Sequence, residues 1–271
     1  MGEKQTYSQS EQKRRERRLL LALSFGTLAA ALVIWQLLVS AGIVSSRFLP
    51  APTAIVNTFF EKIHSPNPEG ATLQMNLLSS LRVALIGFVM AVVIGIPLGL
   101  FMGWYEPVDR LVRPVFEVIR PIPPIAWIPL TILFLGIGLR AKVFIIFFSA
   151  FVPCVINAYT GIQLTNRTLI NVAKTYGAGS FEIFWRVGIP SSVQMIFAGI
   201  RIALGLSWTT LVAAEMLAAD AGLGYMILMG RQFARPDIIV LGMVVIGTIG
   251  AVFSAVLSAL EKRLEHWRAG R

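Results

Sequence analysis

An all-α, polytopic membrane protein with about six transmembrane helices is the fold class this sequence predicts. Three observations predict it. The chain is 56% hydrophobic and only 14% charged. Its apolar residues run on in stretches of about 20, enough for a helix to cross the hydrocarbon core of a bilayer. Its charges collect at the two ends and in the connections between those stretches. The net charge of +10 would suit a nucleic-acid binder only if the basic residues formed a stripe on a soluble domain, and here they flank apolar runs. The expected surroundings are a lipid bilayer, with no nucleic acid.

Hydropathy places the six spans at about Leu19 to Val44, Leu78 to Gly103, Arg113 to Gly138, Ala141 to Ile162, Val193 to Ala219 and Ile238 to Leu260. An even number puts both termini on one side. Lys4, Lys13, Arg14, Arg15, Arg17 and Arg18 precede the first span, and Lys262, Arg263, Arg268 and Arg271 follow the last. The connections are nearly balanced, with Arg110, Arg113, Arg167, Lys174 and Arg186 on the side of the termini and Arg47, Lys62, Arg140, Lys142, Arg231 and Arg235 opposite. The basic tails therefore decide, and both termini are expected in the cytoplasm.

Residues 1–18 read as a basic arm and residues 19–271 as one transmembrane domain. The first span has a basic leader, but its apolar run exceeds the roughly 7–15 residues of a signal peptide, so a retained helix is expected. Between it and the second span, about Ser45 to Asn76, lies a proline-rich connection with an amphipathic stretch from Thr53 to Ile63. That stretch predicts an interfacial elbow. Within the spans, Gly95, Gly99 and Gly103 make a double GxxxG ridge, and Gly247, Ala251, Ala255 and Ala259 make a second small-residue ridge, both suited to close helix packing.

The segment from Asn171 to Pro190, NVAKTYGAGSFEIFWRVGIP, carries polar residues between two spans and falls on the cytoplasmic side of this topology. Asn166 is a candidate N-cap. Leu169, Val172, Ala173 and Tyr176 recur at helical spacing, and Gly177 supplies a left-handed end. After the corner, Phe181, Phe184 and Trp185 are expected on one side of a second short helix, which Ile189-Pro190 should end. On the residues alone, a docking surface and an interfacial amphipathic connection both fit.

Charges at membrane depth cost roughly 2.5–3.5 kcal/mol each at a span centre and need a partner or a watery cavity. Glu117 and Arg120 stand just before a cluster of prolines, Pro121, Pro123, Pro124 and Pro129, which must distort the third span. In the fifth, Arg201, Trp208 and Glu215 are spaced by seven and share one face over about 21 Å. Arg120, Arg201, Trp208 and Glu215 are candidates for a translocation path, with salt bridges that merely hold the bundle as the other possibility. Arg82, near a span end, can snorkel to the interface.

Catalytic and metal residues are not expected. The single cysteine, Cys154, falls inside a span, and the two histidines, His64 and His266, fall on opposite sides of the membrane. No GxxxxGK[ST] phosphate loop occurs in the chain. ATP-driven action would need hydrolysis on another polypeptide.

From about Asn76 to Leu260 the chain resembles the membrane subunit of bacterial ABC importers. Residues 166–190 are similar to that family's EAA loop, with Ala173, Gly177, Ile189 and Pro190 matching and Asn171-Val172 replacing its first Glu-Ala. FLPAPTAI from Phe48, RPIPPIAWIPL from Arg120 and GIRIALGLSWTTLVAAEMLAADAGLG from Gly199 resemble the nitrate, sulfonate and taurine permeases, closest to the taurine and alkanesulfonate branch. The resemblance implies the type I importer fold in a bacterial inner membrane. It also implies a second copy of the permease, two cytoplasmic ATPase subunits carrying ATP and Mg, and a periplasmic or lipid-anchored binding protein. Asn171, Ala173, Tyr176, Gly177, Phe181, Ile189 and Pro190 would then couple to the ATPase. The implied substrate is taurine or another sulfonate, with nitrate, an aromatic acid or a vitamin precursor as alternatives. A secondary transporter fits less well, because the inverted repeat common in that class is not evident. An intramembrane enzyme lacks a catalytic constellation.

Overall fold

The computed structural model describes residues 2–218 and 220–269, with side chains described over 19–261 except 21, 24 and 218–219. Among the described residues there are helices and connections and no strand. Helix α1 (Gly2–Ser40) runs unbroken from the basic arm into the first expected span. The amphipathic stretch becomes α2 (Pro52–His64), with Ile55, Thr58 and Lys62 turned inward. Then come α3 (Leu73–Trp104), α4 (Glu106–Ile119), a short 3-10 turn at Pro124–Trp127, α5 (Ile128–Leu135) and α6 (Leu139–Gln163). The cytoplasm-assigned segment holds α7 (Arg167–Thr175) and α8 (Ser180–Ile183), and a π turn at Phe184–Gly188 leads into α9 (Ile189–Ala218). Last are α10 (Leu223–Gln232) and α11 (Pro236–Ala269).

Among the described residues, four stretches are long and apolar enough to cross a membrane: Leu73–Trp104, Leu139–Gln163, Ser180–Leu217 and Pro236–Glu261. A fifth is a broken pair, Glu106–Ile119 with Pro124–Leu135, bent by 84°. The distortion expected of the third span is a full break, and prolines explain it. Pro123 is extended at φ −58° and ψ 136° before Pro124, as the ring of a following proline demands. In the first expected span, Phe25–Ser40 is apolar helix, while the side chains of the basic arm and of the C-terminal tail lie outside the described residues.

The bundle is built on α3, α6 and α9. Ala91, Ala150, Ala158 and Ala203 are fully buried where these helices meet. The first glycine ridge lies against α6. A Cβ on Gly99 would fall 2.4 Å from the Val155 carbonyl oxygen and 2.9 Å from Ala158 Cβ, and one on Gly103 would fall 2.2 Å from Ile162 Cγ2. The ridge therefore packs two helices of one chain. The second ridge does not: Gly247, Ala251, Ala255 and Ala259 are exposed on α11, and a Cβ on Gly247 meets nothing within 4 Å.

At the far end from α7, α2 is fastened to the α10–α11 connection. Arg235 bonds Asp237 at 2.7 Å and Glu61 at 3.1 Å, and Thr58 donates to Asp237 at 2.7 Å. The hydrogen bond to Asp237, then that to Glu61, holds the Arg235 guanidinium above its ordinary pKa range. Lys62, expected as a loop charge, is completely buried. It pairs with Glu69 at 2.8 Å and donates to the carbonyls of Asn67 and Ala71.

Gly99→Leu should lower the thermal stability of the purified protein by about 1–3 kcal/mol or more, because the added atoms drive α3 and α6 apart. Gly247→Ala should leave the melting temperature unchanged. Equal stability of the two variants would refute the assignment of α3–α6 as the tight contact.

Candidate functional site

The segment between α6 and α9 is positioned by local chemistry that its sequence states directly. The Asn166 side chain accepts a hydrogen bond from the Thr168 amide at 2.8 Å and starts α7. At the other end the Ala178 amide reaches the Ala173 carbonyl and the Gly177 amide reaches that of Lys174, with Gly177 at φ +83°. These two bonds form a Schellman closure, which favours glycine at the left-handed position.

No residue of α7 is buried. Leu169, Val172 and Tyr176 stand exposed, Tyr176 at 89%, and Phe181 and Trp185 continue the apolar outer face beyond the corner, ring centroids 6.4 Å apart. Phe184 departs from the expected common face. It is buried beside Ile183, its ring 5.4 Å from Phe101, 5.7 Å from Trp104 and 5.8 Å from Tyr105. Residues 181 and 185 are four apart and share a face; residue 184 is turned onto the end of α3.

Ile189-Pro190 does not end the second helix, contrary to the sequence expectation. The Ile189 amide bonds the Phe184 carbonyl in a five-residue π turn. This wider turn lets the chain pass a proline, which has no N–H, and run on into α9.

The candidate path residues fall into three separate settings. Arg120 pairs with Glu117 at 3.0 Å on α4, both half exposed. They line a cavity of about 220 Å³ together with Arg113, Tyr159 and Thr160. Arg113 pairs with Asp109, donates to the Tyr159 hydroxyl and holds its guanidinium carbon 5.1 Å from that ring's centroid. Arg201 pairs with Glu261 of α11. Trp208 donates its indole N–H to the Ile246 carbonyl at 3.1 Å and meets Phe253 edge-on.

Glu215 is fully buried. It accepts from the Ser80 hydroxyl at 2.7 Å and from the Gly224 amide at 2.9 Å. Asn76 accepts from the Gly222 amide and Ser80 from the Leu223 amide, so side chains of α3 and α9 cap the buried start of α10. The structure thus keeps Arg201, Trp208 and Glu215 on one helix but brings none of them to Arg120. Sequence reasoning missed Asn76, Ser80, Arg113 and Tyr159. Ser80 could have been found as a polar residue inside the expected second span with Asn76 one helical turn before it; the last pair meets only through the fold.

A family model described as binding-protein-dependent transport system inner membrane component matches residues 95–269. The chain belongs to that family. The permease is 35% identical to the taurine transport system permease protein TauC of Escherichia coli, over 91% of this chain and 90% of that protein. It is 31% identical to the nitrate import permease protein NrtB of Leptolyngbya laminosa, over 85% and 83%. It shares its fold with a chain of the inward-facing MetNI methionine ABC transporter, at a TM-score of 0.57 and 19% identity, covering 69% of this chain and 95% of that one. This is the type I importer transmembrane fold expected from the sequence.

Glu215→Ala leaves the Ser80 hydroxyl and the Gly224 amide without their acceptor in the core, at about 1–3 kcal/mol for each stranded group. Glu215→Gln retains one acceptor oxygen. Thermal unfolding of the purified permease should show a clear loss for the alanine variant and a smaller one for glutamine; no loss with alanine would contradict the capping role.

Proposed function

We propose that this permease forms the membrane pathway of an ATP-driven importer for a small oxyanion, taurine or another sulfonate, working as two copies with two ATPase subunits and a substrate-binding protein. The observation that carries the proposal is the α7–α8 segment, which projects an apolar face that no other described residue of the chain covers. Asn171, Ala173, Tyr176, Gly177 and Phe181 would meet the ATPase, with Ile189 and Pro190 leading into the span that moves. ATP and Mg belong to that partner, and the permease contributes no catalytic group. The basic tails put both termini, and α7 with them, in the cytoplasm of a bacterial cell, and put α2 outside where a binding protein arrives. Residues 19–271 act as one permease domain with residues 1–18 as its arm.

The substrate class rests on the names of the relatives and on the guanidiniums of Arg113 and Arg120 at the cavity. Arg120 belongs to the path, and Arg201, Trp208 and Glu215 fix the span that flanks it. Nitrate is the second reading, favoured by the likeness to a nitrate import permease.

Reconstitution in vesicles with its cognate ATPase and binding protein is the test. Taurine presented by its binding protein should stimulate ATP hydrolysis only when ATP is on the α7 side and the binding protein on the α2 side. Stimulation by a neutral or cationic ligand and not by sulfonates would sink the substrate assignment; stimulation with both on one side would sink the orientation.

Gly177→Val places a β-branched residue at a positive φ, where open space does not relieve the backbone, at about 1–2 kcal/mol. ATPase copurification should fall while membrane insertion is kept. Ala173→Asp should act alike, and Lys174→Ala should be mild. Full ATPase binding and transport with Gly177→Val would return this segment to an ordinary connection.

A further inference from the structure

The docking segment meets the bundle at the end of α3, where Phe184 also shares a buried cluster with Leu100 of α3 and with Ala158 and Ile162 of α6. In front of it, the Gln163 side chain donates to the Gly103 carbonyl at 2.8 Å. Behind it, Ser180 accepts from the Trp104 indole N–H at 3.3 Å, and Phe184 packs its ring against Phe101, Trp104 and Tyr105. Gly188 completes the contact, since a Cβ there would lie 3.1 Å from the Trp104 ring. Both ends of the segment are thus fastened to the last turn of α3, Gly103–Trp104, and to Tyr105.

Tyr105 is also the joint to the next helix. It is one extended residue, φ −108° and ψ 108°, between the end of α3 and the start of α4. Helix α4 then carries Arg113, bonded to Tyr159 of α6, and Glu117 and Arg120 at the cavity. Toward α9 the connection is of another kind, because the π turn at Phe184–Gly188 breaks the regular helical ladder. Close-packed rings pass on a displacement that a loose contact would absorb.

We propose that the aromatic contact of Phe184 with Trp104 and Tyr105 is a transmission joint: movement of α7–α8 is delivered to the α3–α4 elbow and swings α4 against α6, reshaping the Arg113–Arg120 cavity. Phe184 is a positioning residue here, touching neither the ATPase nor the substrate. The proposal rests on the docking function assigned to α7–α8 above.

Two variants test it in the assembled complex. Phe184→Leu keeps apolar filling without the ring, and Gly188→Ala displaces Trp104 independently. A Thr160→Cys reporter on the cavity wall reads thiol labelling without nucleotide and with ATP plus vanadate. The expected result is ATPase copurification within about twofold of the parent, uptake lowered about tenfold and the nucleotide-dependent change in labelling abolished, a loss of the size of one coupling free energy.

Normal uptake and a normal labelling response in both variants would overturn the joint while leaving the importer function standing. Loss of the ATPase from both variants would also overturn it, by assigning Phe184 to docking. A parent permease that binds no ATPase and shows no nucleotide response would instead overturn the function on which the joint rests.

Discussion

The close approach of α3 and α6 is the constraint on which the rest of the fold depends. At Gly99 and Gly103 the α3 backbone lies within van der Waals range of α6, with no room for a methyl group. In lipid, helices gain little from burying apolar surface against one another, so packing at small residues holds the bundle together. This contact fixes three features at once. It brings Gln163 to the Gly103 carbonyl, sets Tyr159 opposite Arg113 and leaves the end of α3 exposed to receive Phe184 from the far side of the cytoplasm-assigned segment.

Polar groups inside the bundle serve different ends according to how completely they are satisfied. Lys62 and Glu69 are buried as a pair with backbone carbonyls around the ammonium. Removing either partner would leave an uncompensated charge, so the pair specifies this arrangement of the connection more than it adds net stability. Glu215, Ser80 and Asn76 answer another need. The amides of Gly222, Leu223 and Gly224 open α10 inside the protein, where no water meets them, and three side chains from α3 and α9 take the place of a local cap. A half-exposed Arg120 beside Glu117 is left in contact with the cavity.

Much of this was legible because it is local. Asn166 before an amphipathic turn, Gly177 after it, the GxxxG ridge and the amphipathic stretch from Thr53 each act through neighbours within a few residues, and each was read from the sequence. What failed needed the third dimension. Pro190 looked like a stop because a proline ends a regular α-helix; the π turn that carries the chain past it is set by how Phe184 is held against α3. Phe184 was given the face of Phe181 and Trp185 because aromatic content does not say which residue anchors. Lys62 was counted only as a basic residue of a connection, because hydropathy cannot see a cage of carbonyls. The prolines after Arg120 announced a distortion, but only the fold makes it an 84° bend. Spacing by seven put Arg201, Trp208 and Glu215 along one helix and was silent about their partners, which come from α11 for the first two and from α3 and α10 for the third.

The pairing of Arg120 with Glu117 bears on what a path through this protein requires. The two are three residues apart, Glu117 in the last turn of α4 and Arg120 at its C-cap, so their contact is local to the end of that helix. An oxyanion entering the cavity must share a guanidinium already partnered by a carboxylate, and at half exposure that competition takes place in a well-screened setting. The resulting hold on the ligand is weak. For a pathway, weakness is an advantage, since binding must favour entry yet permit exit. In the proposed importer, selectivity and affinity then rest with the binding protein outside, and the permease needs only enough positive potential to accept the anion it is handed. Arg113 is held differently, through Asp109 on its own helix and through Tyr159 on α6: in the proposed joint, a swing of α4 would stretch the bond to Tyr159 while the pairing with Asp109 travels with the helix.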